Sequence, residues 1–146
     1  MATAVFDASV VLGWILSPRT QAEKDFCDRI RLRIVERDMT MLVPAVFEIE
    51  VAGGLLKARR RKEISLTKFN EGRALVAELP LQVHSFAYSI DQIIELATDY
   101  HAQPADAMYL HLAQMHDATV ITIDGGMAQA CKQSGIECEA FDRMTG

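Results

Sequence analysis

Short apolar runs alternate with longer amphipathic stretches along the whole chain. Apolar residues in Gln21–Arg37 recur every four positions, as on one face of a helix. No hairpin dipeptide joins two apolar runs. Such alternation predicts an α/β fold, a three-layer α/β/α domain with a mostly parallel sheet, for which we take the strand order 3-2-1-4-5. The runs predicted as strands are Ala4–Phe6, Thr40–Val43, residues 81–86, Thr119–Ile123 and residues 136–141.

Capping and turn residues set the expected helix boundaries. Ser9 is expected to cap Val10–Leu16, and Ser17-Pro18 to end it. Pro44 is expected to open a helix that runs to about Lys62, and Ser65 and Pro80 to bound the next helix. Ser89 or Ser85 is expected to lead into a helix over residues 90–102. Pro104 is expected to start the helix over residues 105–118, and Gly135 to end the helix Met127–Ser134.

The composition indicates an ordinary globular protein. The chain has 146 residues, half of them hydrophobic, which suits one domain spanning residues 1–146. No apolar stretch approaches the roughly 18 residues of a membrane span, and no signal peptide is evident, so we expect a cytoplasmic protein without a membrane partner. The net charge of −5 does not suit a surface that grips nucleic acid throughout.

The thiols and imidazoles do not have the spacing of a zinc site. Cys27, Cys131 and Cys138 form no close-spaced pair, and an odd cysteine count without a secretion signal predicts reduced thiols. The four histidines are scattered along the chain, and we interpret them as solvated or partly buried side chains.

Two acids follow strands that the predicted topology brings together. Asp7 ends the first strand and Asp124 ends the fourth. In an open parallel sheet, ligands bind beyond the carboxyl ends of the strands where the strand order reverses, here between strands one and four. Each aspartate alone is better explained as a turn or cap residue, but their coincidence at the predicted crevice indicates a site.

Two further acids interrupt apolar helix faces. After Pro44 we expect a buried stripe of Val46, Ile49, Gly53 and Leu56, with Glu50 inside it and Glu48 on the opposite side. Gly53 and Gly54 are expected to leave room for a metal and a phosphate. Asp106 lies in the first turn after Pro104, where the helix dipole alone would favour an acid.

Four converging carboxylates repel one another, and a divalent cation removes that cost. Oxygen ligands favour Mg²⁺ or Mn²⁺ over zinc. A cation of this kind, held by acids in an open crevice, is an arrangement suited to phosphodiester hydrolysis.

The motifs that carry these acids resemble the PIN domain family, and within it the VapC-like ribonuclease toxins of type II toxin–antitoxin pairs. They are VFDASV, VPAVFEIEVAGGLL, ADAMYLHLA and VITIDGGM, in this order along nearly the whole chain. The resemblance implies Mg²⁺- or Mn²⁺-dependent cleavage of RNA, with catalytic, metal-binding acids at Asp7, Glu50, Asp106 and Asp124. Ser9 and Thr122 match supporting hydroxyl positions. A homodimer and a small antitoxin partner are also implied.

Other interpretations stay open at this point. A PIN-fold RNA-processing nuclease without an antitoxin, or a non-catalytic PIN-fold binding module, shares the same motifs. A phosphorylated receiver domain fits less well, since its paired acids after strand one and its acid after strand three are missing. The basic run Lys57, Arg59, Arg60, Arg61 and Lys62 is either a solvated helix end or an RNA-binding patch.

Overall fold

A parallel sheet of five strands forms the centre of the computed structural model, which describes residues 2–16 and 20–141. The strand order is β3-β2-β1-β4-β5, and every neighbouring pair is parallel. The central strand is buried because its side chains from Ala4 to Phe6 are apolar and covered on both faces. The strands are β1 (Ala2–Phe6), β2 (Met39–Pro44), β3 (Leu81–His84), β4 (Thr119–Thr122) and β5 (Cys138–Ala140).

Strand β1 lies at the point where the topology reverses. Val5 pairs with Leu42 of β2 on one side and with Val120 of β4 on the other. The connection after β1 runs to β2 on one side, and the connection after β4 runs to β5 on the other side. Because the two connections diverge, a crevice opens between the carboxyl ends of β1 and β4. The predicted fold class and strand order are confirmed.

Helices cover both faces of the sheet. Right-handed crossovers put the first four helices on one face and the last three on the other. The contacts agree, since α1 packs on α2, α3 and α4, while α5 packs on α6. The helices are α1 (Ala8–Ile15), α2 (Gln21–Val35), α3 (Val46–Arg60), α4 (Leu66–Ala77), α5 (Ile90–Asp99), α6 (Pro104–His116) and α7 (Gly125–Ser134).

Most of the predicted helix ends are confirmed by the capping geometry. The Ser65 hydroxyl accepts from Lys68 N, and Ser89 forms a capping box with Gln92, which selects Ser89 over Ser85. Pro104 is the first residue of α6. Gly135 ends α7 with a left-handed φ of 68°, a conformation that costs glycine little.

Two predicted helix starts are wrong. Ser9 is not a cap, because α1 already begins at Ala8 and Asp7 is the residue before it. Pro44 does not open α3; it is the last residue of β2, and α3 begins at Val46. Ser17-Pro18, the predicted end of the first helix, lies outside the described residues.

The predicted face of α3 is also wrong. The buried side chains of this helix are Phe47, Val51, Leu55 and Ala58, whereas Ile49 is 74% exposed. The apolar residues of α3 wrap around much of the helix, so two stripes compete. Packing against α1 and α4 buries the stripe that carries Phe47.

No helix in the described ranges combines the length and apolar character needed to cross a bilayer.

Candidate metal centre

Asp7 lies at the bottom of the crevice, directly after the central strand. Its backbone N–H donates to Ile121 O at 3.0 Å, which ties the end of β1 to β4. Its carboxylate is only 6% exposed, and Oδ2 accepts hydrogen bonds from Ser9 Oγ at 2.8 Å and Thr122 Oγ1 at 2.7 Å. Burial raises the pKa of Asp7, and the nearby Asp124 charge adds to this, while the two hydroxyls oppose it.

The two hydroxyls also fix the backbone beyond β4. Ser9 Oγ accepts from Ile123 N at 3.2 Å, and Thr122 Oγ1 accepts from Asp124 N at 2.9 Å. Each hydroxyl therefore uses its proton on Asp7 and its lone pair on the strand that leads to Asp124. The placement of Ser9 and Thr122 agrees with a supporting role for both.

Asp124 directly precedes α7, at the mouth of the crevice. Its Oδ2 accepts a hydrogen bond from Met127 N at 3.2 Å, so it caps the helix. The side chain is exposed, in contrast to Asp7. Asp124 can therefore cap α7 and still belong to the site.

Glu50 reaches the crevice from the second turn of α3. Its Oε1 accepts a hydrogen bond of 2.6 Å from the phenol of Tyr109, which is wholly buried in α6. Burial raises the pKa of Glu50, with further increases from the charges of Asp7 and Asp124. The Tyr109 hydrogen bond opposes this increase by stabilising the carboxylate.

Asp106 enters from the first turn of α6. Burial raises its pKa to about 6, and the charges of Asp7, Glu50 and Asp124 contribute to the same shift. Every pair among the four acids therefore interacts electrostatically. Among the described residues, none of the four forms an ion pair with a lysine, arginine or histidine.

The donor set fits a hydrated hard cation better than a tightly caged one. In the described part of the chain, no three His, Cys, Asp or Glu side chains are arranged to hold an ion in their present positions. Mg²⁺ keeps several of its waters and needs only one or two direct carboxylates, so acids spread around a crevice suit it. Burial and then mutual repulsion raise three of the pKa values, and a cation would relieve the repulsion.

Glu48 and Glu50 lie on different sides of α3, although the helical register that predicted this separation is wrong. Glu48 is exposed and borders an apolar groove of about 800 Å³ between α3 and α4, away from the four acids. Glu50 is partly buried at the crevice. Only Glu50 interacts with the other acids.

Of the two glycines of α3, Gly54 does not make room for a metal. A Cβ on Gly54 would lie 2.6 Å from a methyl group of Leu12, so this glycine lets α1 pack closely against α3. Gly53 is exposed and faces open space. The space expected beside Gly54 is therefore taken by Leu12, while room for an ion and a phosphate beside Gly53 stays a prediction.

The basic run lies at the far end of α3. Ten residues separate Glu50 from Arg60, which corresponds to about 15 Å along the helix axis. Lys57, Arg59 and Arg60 occupy the last turn, where cations suit the helix dipole, and Arg59 donates to Ile64 O at 3.3 Å. An RNA-binding role for Lys57–Lys62 stays a prediction.

Tyr109 is the residue of the crevice that the sequence did not reveal. It lies three residues after Asp106, and the sequence pattern places it on the apolar face of α6. Its ring is indeed buried in the core, and only the phenol oxygen reaches Glu50. A tyrosine one helical turn from a candidate ligand is the signal that was present in the sequence.

Comparisons with known proteins show the family of this chain. The sequence model of the PIN domain matches residues 4–133, and the chain therefore belongs to the PIN domain family. No curated protein sequence matches the chain.

Several solved structures share the fold. PAE2754 from Pyrobaculum aerophilum is 15% identical with a TM-score of 0.67, over 98% of this chain and 86% of that one. VapBC2 from Rickettsia felis, bound to a DNA fragment from their promoter, is 12% identical with a TM-score of 0.63, over 96% and 99%. FitAcB from Neisseria gonorrhoeae is 15% identical with a TM-score of 0.61, over 92% and 95%.

Proposed function

We propose that this PIN domain is a Mg²⁺- or Mn²⁺-dependent endoribonuclease and that it is the toxin of a toxin–antitoxin pair. One observation carries the proposal: Asp7, Glu50, Asp106 and Asp124 come from four separate elements and converge without a cationic side chain among the described residues. Such an arrangement raises the energy of the folded chain unless a cation binds there. Stability alone does not explain it, which favours a functional role.

The acids would hold the cation, and their neighbours would orient them. A bound divalent ion supplies an activated water at neutral pH and stabilises charge on the phosphate during hydrolysis. Ser9 and Thr122 fix the orientation of the Asp7 carboxylate through Oδ2. Tyr109 holds Glu50 in the same way from the opposite face of the sheet. No side chain needs to form a covalent intermediate.

RNA cleavage by the purified chain tests the enzymatic part. We expect cleavage with Mg²⁺ or Mn²⁺ and none after chelation, with 5′-phosphate ends on the products, as the family resemblance implies. Binding of RNA without cleavage under any metal condition would instead favour a non-catalytic PIN-fold module.

The toxin role rests on the resemblance to VapC-like sequences, supported by a fold shared with VapBC2 and FitAcB. The reading frame beside this gene tests it. A small DNA-binding protein encoded there, which copurifies with the chain and blocks RNA cleavage, is the expected partner. Absence of such a neighbour would favour a PIN-fold RNA-processing nuclease.

A homodimer is part of the proposal, and helix α5 supports it. None of its residues is buried, and Ile90 and Ile94 are 79% and 55% exposed on the same face. We place the dimer contact at these two isoleucines, because they are exposed next to each other on one helix face. Sedimentation should show a dimer for the wild type and a monomer for the double change Ile90→Lys and Ile94→Lys; an unchanged dimer would place the interface elsewhere.

A further inference from the structure

Two cysteines that the sequence keeps apart meet beside the last turn of α7. Cys131 lies in that turn and is fully buried, and Cys138 is the first residue of β5 and is partly exposed. Their thiols are neighbours, and each perturbs the pKa of the other. The sequence analysis found no close-spaced pair because the turn that brings them together lies between them.

The backbone fixes this approach. Gly135 adopts a left-handed φ of 68°, and Ile136 N donates to Cys131 O at 2.9 Å, which closes the helix end. On the other side, Val120 N donates to Glu137 O at 2.9 Å, and Cys138 pairs with Val120 in the sheet. The two thiols are therefore held together by main-chain bonds on both sides of the turn.

The two sulfurs are not equivalent. The Cys131 thiol lowers the pKa of Cys138, although burial and the charges of Asp7 and Glu139 oppose this change. The Cys138 thiol and burial raise the pKa of Cys131. Cys138 is also the more accessible of the two, whereas Cys131 is sealed from solvent.

We propose that Cys138 and Cys131 are a redox-active dithiol, a modification site that small disulfides oxidise to an intramolecular disulfide with Cys138 reacting first. This geometry matches the usual division of labour between an exposed attacking thiol and a neighbouring resolving thiol. The pair joins α7, which begins next to Asp124, to β5, which pairs with β4.

The chemistry balances as two thiol–disulfide exchanges. The Cys138 thiolate attacks one sulfur of a small disulfide, forms a mixed disulfide and releases one small thiolate, which takes up a proton. Cys131 then attacks the Cys138 sulfur, and its proton passes to the second small thiolate, which leaves as a thiol. Two protein thiols are oxidised, and one small disulfide is reduced to two thiols.

Cys27 provides an internal reference. It is 1% exposed in α2, and its sulfur lies against Gly13 of α1, on the face of the sheet opposite α7. We therefore expect Cys131 and Cys138 to be oxidised and Cys27 to stay reduced.

Intact-mass and peptide mapping of the full chain, treated with glutathione disulfide in chelator, tests the proposal. Wild type should lose two hydrogen atoms and carry no lasting adduct, with the new bond mapped to Cys131 and Cys138. Cys131→Ala should retain one glutathione on Cys138, and Cys138→Ser should retain none on Cys131. The readout is mass, so it is independent of RNA cleavage.

Rapid alkylation of untreated wild type with N-ethylmaleimide keeps the test decisive if a variant does not fold. We expect Cys138 to be labelled before Cys131 and Cys27. A stable glutathione adduct on wild type, a bond that involves Cys27, or first labelling at Cys131 would each overturn the proposal.

Discussion

The phenol of Tyr109 donates a hydrogen bond of 2.6 Å to Glu50 Oε1 and so links α6 to α3 across the crevice. Tyr109 is fully buried, and the pKa of its phenol is raised, first by burial and then by the Glu50 carboxylate that it contacts. The phenol therefore stays protonated, and Glu50 keeps a fixed orientation towards Asp106 and Asp7.

Tyr109→Phe should weaken the proposed metal site without unfolding the chain. The change removes one hydrogen bond to a charged group, worth about 1.5–3 kcal/mol, but keeps the ring that fills the core. Loss of such an orienting partner lowers metal affinity or activity about 10- to 100-fold. Calorimetric titration with Mn²⁺ and RNA cleavage measure both effects. Unchanged affinity and rate would show that Tyr109 only fills space.

Asp7→Asn should stabilise the metal-free protein. Burial of the carboxylate and repulsion from Asp124 both raise its pKa, so removing the charge relieves both costs. A gain of about 1 kcal/mol corresponds to a rise of about 2–4 °C in the melting temperature at this chain size. Scanning calorimetry in chelator measures it, with Glu95→Gln as an exposed, charge-matched control. A melting temperature below that of the wild type would mean that Asp7 is a structural cap.

The free energy of unfolding of the metal-free protein should fall as the pH rises from about 4 to about 6. Asp106 has a pKa of about 6 in the folded chain, against about 3.9 when unfolded. Between these values the folded state binds more protons, so the unfolding free energy falls as pH rises and stays low above pH 6. Asp7 and Glu50 shift in the same direction.

Asp106→Asn isolates this contribution. Its unfolding free energy in chelator should fall less between pH 4 and pH 6 than that of wild type, as urea titrations at fixed pH values can measure. Equal pH dependence in the two proteins would show that Asp106 titrates normally.

The sequence located Asp7 and Asp124 correctly because strand ends follow from apolar runs, and parallel topology brings those ends together. The argument from apolar spacing reached Glu50 through a wrong helical register, since Ile49 and Leu56 compete with Phe47 and Leu55 for the buried face of α3. Only tertiary packing distinguishes two such stripes. Tyr109 was missed because a tyrosine in an apolar face gives no sign of where its hydroxyl points.

The basic run at the end of α3 has a salt-dependent test. If Arg59–Arg61 bind RNA phosphates, changing all three to Gln should weaken binding and reduce the slope of log K against log salt by about 0.7 for each phosphate that is no longer neutralised. Fluorescence anisotropy in chelator measures this without cleavage. The control changes Arg29, Arg31 and Arg37 on and after α2 to Gln, which removes the same number of positive charges. If log K depends on log salt with the same slope in both variants, Arg59–Arg61 have only the helix-dipole role.

Glu50→Gln, compared with Glu48→Gln, tests the central claim that the converging acids bind a divalent cation. The two changes remove the same charge from the same helix, but only Glu50 interacts with Asp7, Asp106 and Asp124. In calorimetric titrations with Mn²⁺, wild type and Glu48→Gln should bind with the same affinity, and Glu50→Gln at least about 10-fold more weakly. Absence of binding to wild type, or equal loss of affinity in both variants, would contradict the metal centre.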